Sequence, residues 1–131
     1  MKNNNKVAVI AGLGGCFEAL TQFRKELELN KISKVISLGN AVGLHYHPDS
    51  FLKQISDFIL LSSNCEKCLS GEYPVLELRR VGWYRIMKEN QQRLSDTSKN
   101  FLKNLNYKYS YDDIVFFGID HQREIDKVNF Y

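Results

Sequence analysis

Hydrophobic residues fall along this chain in two rhythms. Val7-Ala8-Val9-Ile10-Ala11 is a continuous apolar run closed by Gly12-Leu13-Gly14-Gly15, the pattern of a buried parallel strand that turns sharply at its carboxyl end. From Cys16 to Leu29 the apolar residues Phe17, Leu20, Phe23 and Leu27 recur three or four apart, with Arg24, Lys25, Glu26 and Glu28 between them, which predicts an amphipathic helix. Lys34-Val35-Ile36-Ser37-Leu38 predicts a second strand, ending in Gly39-Asn40. Together these segments predict a βαβ unit, whose crossover is expected to be right-handed.

Beyond the loop Val42 to Pro48, a helix is expected from about Asp49, carrying Phe51, Leu52, Ile55 and Ile59, with Asp49 or Ser50 as its cap. Phe58 to Leu61 is either the end of that helix or a short third strand, and the strand is the reading favoured here. The polar segment Ser62 to Gly71 then reads as the passage from strand to loop. Pro74 to Asn90 has a mixed pattern, with Leu78, Val81, Arg85 and Met87 among good helix formers and Trp83 as an anchor against the sheet. Ser98 to Leu105 predicts a short helix with Phe101, Leu102 and Leu105 apolar. Tyr107-Lys108-Tyr109, Tyr111-Asp112-Asp113 and Ile114-Val115-Phe116-Phe117 predict a hairpin.

Composition narrows the classes. The 131 residues are 44% hydrophobic and 25% charged, an ordinary globular balance, expected to form one domain over residues 1–131. Eighteen Lys plus Arg stand against fifteen Asp plus Glu, a net charge of +3 with the basic residues scattered, which argues against nucleic acid as the partner. The longest apolar runs, Val7 to Leu13 and Phe58 to Leu61, fall far short of the roughly 20 residues of a membrane span. The start is polar and Asn-rich rather than a secretory signal. With three cysteines, an odd number, it points to reduced thiols and a cytoplasmic location.

In open α/β sheets ligands bind beyond the carboxyl ends of the strands, so chemistry is expected at Gly12 to Cys16, Gly39 to Pro48, Ser62 to Cys68 and Phe117 to Asp120. The blocks Val7 to Leu20, Lys34 to Gly43, Pro48-Asp49 and Ser63-Asn64-Cys65-Glu66 resemble the opening blocks of the calcineurin-like metallophosphoesterases, in particular the small bacterial phosphodiesterase group. In that family the first strand ends in Asp-x-His-Gly-Asn, the second in Gly-Asp-x-Val-Gly and the third in Gly-Asn-His-Asp. Later strands end in a His-Gly pair and a Gly-His-x-His motif. The resemblance continues through Trp83, Leu94-Ser95 and Phe101 to Leu105, in register over nearly the whole chain. It implies an α/β domain, a metallophosphoesterase-like layered sheet with flanking helices, shortened at the C-terminus.

What the resemblance does not carry over is the ligand set. Two-metal phosphoester chemistry needs hard carboxylate and imidazole ligands around both cations. Against the family's motifs this chain has Gly12 and Gly14 for the first Asp and His, Asn40 for the bridging Asp, Asn64 for the Asn, Cys65 for the catalytic His, Glu66 for the following Asp and Phe117 in the His-Gly pair. The last motif is absent, unless Gly118-Ile119-Asp120-His121 is aligned to it. Of these, Gly12, Gly14, Asn40, Asn64, Cys65 and Phe117 read as a vestigial site without cofactor, and a non-catalytic protein is expected, binding a protein partner or associating with itself. A shortened sheet leaves an edge or apolar face to be shielded, which favours the same reading.

Three sharper alternatives stand beside it. Gly14 and Gly15, at a helix start, offer backbone N–H groups to a phosphate-containing ligand, although a tight strand-to-helix turn is the favoured explanation; a dinucleotide fingerprint is disfavoured because Phe17 holds the third glycine position and no acidic residue closes the second strand at Leu38-Gly39-Asn40. Cys65-Glu66-Lys67-Cys68 has zinc-like spacing and, with Cys16, His45 and His47, would make a rebuilt metal site for a hydrolase, against free or half-buried thiols and solvent-exposed histidines. Tyr107, Tyr109, Tyr111, Phe116, Phe117, Phe130 and Tyr131 make the last quarter aromatic. Phe116 and Phe117 are expected in the core, and the others are divided between core and interface.

Overall fold

A computed structural model describes residues 6–74 and 82–119. Three strands, β1 (Val7–Ile10), β2 (Lys34–Ser37) and β3 (Ile59–Leu60), form a parallel sheet in the order β1-β2-β3. Val7 pairs with Lys34 and Ile10 with Ser37, while Ile36 pairs with Ile59. The βαβ unit is therefore present, with α1 (Phe17–Leu29) as its crossover. Phe58 to Leu61 includes a strand, as expected, and Ile59 belongs to it rather than to the preceding helix.

Alternation divides the sheet into two faces. Ala8, Ile10, Val35 and Leu60 point into the main core, packed with Leu20 and Leu27 of α1 and with Phe51, Leu52 and Ile55. Phe17 meets Phe51 edge to face at 5.4 Å, and Phe23 meets Phe58 at 6.0 Å. Arg24 lies over the Phe58 ring, donates to both carboxylate oxygens of Asp57 at 2.9 and 2.8 Å and to the Gln54 carbonyl, and so ties α1 to the turn before β3. Ile36 is buried on the opposite face. There β4 (Lys108–Tyr111) and β5 (Ile114–Phe117) form the expected hairpin, with the Lys34 ammonium 4.0 Å from the Tyr111 ring centre and 5.4 Å from that of Tyr109. Phe116 and Phe117 are only partly buried, because the hairpin is a surface layer rather than a central one.

The remaining helices depart from expectation in informative ways. α2 (Pro48–Gln54) starts one residue before Asp49, with Pro48 in its first turn and His47 as N-cap in the left-handed conformation. Asp49 does not cap it. Its carboxylate accepts from the Ser95 amide and hydroxyl, both at 3.1 Å, while the Ser95 hydroxyl oxygen accepts from the Ser98 amide and caps α5 (Asp96–Lys103). Asn64–Leu69 is a helix, α3, where loop was expected. Ser63 and Glu66 form a reciprocal capping box that nucleates it. α4 (Tyr84–Arg93) follows Trp83, which packs against the main core, and it buries Met87 and Asn90. On α5, Leu102 is buried but Phe101 is exposed. Leu78 and Val81, and Phe130 and Tyr131, lie outside the described residues. No helix among those described is long and apolar enough to cross a membrane.

Candidate functional site

The carboxyl ends of β1, β2 and β3 converge, as the topology requires, and the turns that leave them are bonded to one another. The Gly12 amide donates to the Gly39 carbonyl at 3.0 Å, Gly14 to Asn40 at 2.8 Å and Gly15 to Ala41 at 2.8 Å, while the Leu44 amide returns to Gly14 at 2.9 Å. Gly12, Gly14 and Gly15 all have positive φ, which a residue with a side chain adopts only with strain. The two amides proposed for a phosphate, on Gly14 and Gly15, are thus already used within the protein, and both glycines are buried. Their geometry is that of the tight turn.

Glu66 is the centre of the cluster. It is 1% exposed, and its carboxylate accepts from the Ala41 amide at 2.8 Å, the Ser63 amide at 3.0 Å and the Asn40 amide at 3.3 Å, with a further close contact to the Ser63 hydroxyl. That hydroxyl also accepts from the Asn40 amide at 3.0 Å and lies 2.8 Å from Asn40 Oδ1. Ser63 has one proton for two acceptors, Asn40 Oδ1 and Glu66 Oε2. Burial is the largest influence on the Glu66 carboxyl and pushes its pKa up, against the pull of its donors. Gly39 completes the packing, since a Cβ there would lie 2.5 Å from Ser63 Cβ.

Asn40 belongs to this clamp and Asn64 and Cys65 to the helix it caps, while the other predicted positions are dispersed. Asn40 is half-buried with a left-handed backbone, Asn64 is half-buried in the first turn of α3, Cys65 is buried beneath it, and Phe117 is part-buried at the end of β5. Cys68 is also buried, Cys16 is half-buried with its thiol 3.5 Å from Glu18, and His45 and His47 are exposed. Among the described residues no three of His, Cys, Asp and Glu come together to hold a metal ion, so the set Cys16, His45, His47, Cys65 and Cys68 is not assembled. Nor do the donors fit a dinuclear centre: Gly12 and Gly14 offer no side chain, Asn40 Oδ1 is bonded to Ser63, and the one carboxylate is enclosed by backbone amides.

The Ser63–Glu66 clamp is the feature that reading by motif overlooked, although Ser-x-x-Glu before a helix was its signal. Asn90 had no such signal. It is fully buried on α4 and donates to the Gly43 and His45 carbonyls at 2.7 and 2.9 Å, holding the loop after β2 in place.

No family model matches the sequence, and no curated protein does. Among solved structures, the chain is similar to a hypothetical protein from Pyrococcus horikoshii OT3, with a TM-score of 0.62 and 21% identity over 79% of this chain. It spans 48% of that protein's length. At this identity the likeness bears on the fold alone, a mixed α/β architecture with a small parallel sheet and flanking helices.

Proposed function

We propose that this chain is a catalytically inactive, metallophosphoesterase-like protein that acts as a protein-interaction module. The observation that carries the reading is the closed state of the strand-end cluster. Where an active member of that family would present ligands to two cations, this protein turns its polar groups on itself: three glycine amides on neighbouring carbonyls, and one buried carboxyl on three amides and a hydroxyl. With the cluster sealed, function falls to the outer surface, where large apolar side chains remain exposed on β1 and β5.

The test combines metal analysis and turnover. Untagged protein purified without chelator and offered zinc, manganese and iron is measured by elemental mass spectrometry, then assayed on a chromogenic phosphodiester. The expected result is neither stoichiometric metal nor turnover above the metal-only blank. About one equivalent or more of metal, lost together with turnover on Cys65→Ser, refutes the reading.

A further inference from the structure

We draw no further inference here: the strongest candidate, the cleft of about 440 Å³ formed by Tyr73 and Pro74 beyond α3 and by Tyr84 and Lys88 of α4, includes Pro74, where the described chain breaks off before residue 82, and nothing in the structure shows what covers it.

Discussion

Replacing Glu66 tests the clamp that joins the turns after β2 and β3. In Glu66→Ala the Ala41 and Ser63 amides lose their acceptor, whereas the Asn40 amide keeps the Ser63 hydroxyl at 3.0 Å. Two buried donors left unpaired cost about 1–3 kcal/mol each, one of them the Ser63 amide of the capping box on α3. Relief from burying a carboxyl offsets part of this. The net loss expected is about 3 kcal/mol, a fall in thermal midpoint of about 10 °C for a domain of this size.

Glu66→Gln isolates the proton, because glutamine preserves the shape and does not titrate. The Glu66 carboxyl is raised by burial above its ordinary value of 4.5, so the native state holds the proton more tightly than the unfolded chain. Its contribution to stability is then full below about pH 4.5 and is lost as pH rises through the native pKa, at up to about 1.4 kcal/mol per pH unit. Urea unfolding of both proteins at a series of pH values from about 4.5 to about 8 should show the wild type losing ground to Glu66→Gln as pH rises, until the native pKa has been passed. A wild type that gains on Glu66→Gln over that range would mean that the amide donors outweigh burial. A flat difference would mean that Glu66 titrates alike in both states; either outcome refutes a carboxyl raised by burial.

Two further substitutions probe the frame around it. Gly43 has φ +116°, and a Cβ there would lie 2.7 Å from both Leu69 Cδ1 and Met87 Sδ, so Gly43→Ala combines backbone strain with overpacking and should cost about 2–4 kcal/mol in urea unfolding. The Arg24–Asp57 pair is part-exposed, with side chains 38% and 57% accessible, so Arg24→Gln should cost only about 1 kcal/mol, and the difference should shrink in high salt. A larger, salt-independent loss would place the importance of Arg24 in its contacts with Phe58 and the Gln54 carbonyl.

Where a segment's own pattern sets its structure, reading the chain was enough. The apolar run Val7 to Ile10, the three-and-four spacing from Phe17 to Leu27 and the alternation around Asp112-Asp113 specify β1, α1 and the β4–β5 hairpin, because each buries one continuous surface in register with its own repeat. α3 was written less plainly. Its six residues carry too little periodicity, and its signal was the capping pair Ser63 and Glu66 rather than a stripe. Other properties belong to no segment by itself. Gly14 and Gly15 look like phosphate donors until β2 brings the Asn40 and Ala41 carbonyls to them, and Glu66 looks like a surface acid until α3 folds it beneath those same residues. Cys65 and Cys68 are carried into the core by one face of α3, while His45 and His47 stay outside on a loop, which disperses a metal set that spacing alone had allowed. Periodicity reports which side of an element is apolar; the partner of each polar group is decided only when distant turns are brought within hydrogen-bond reach.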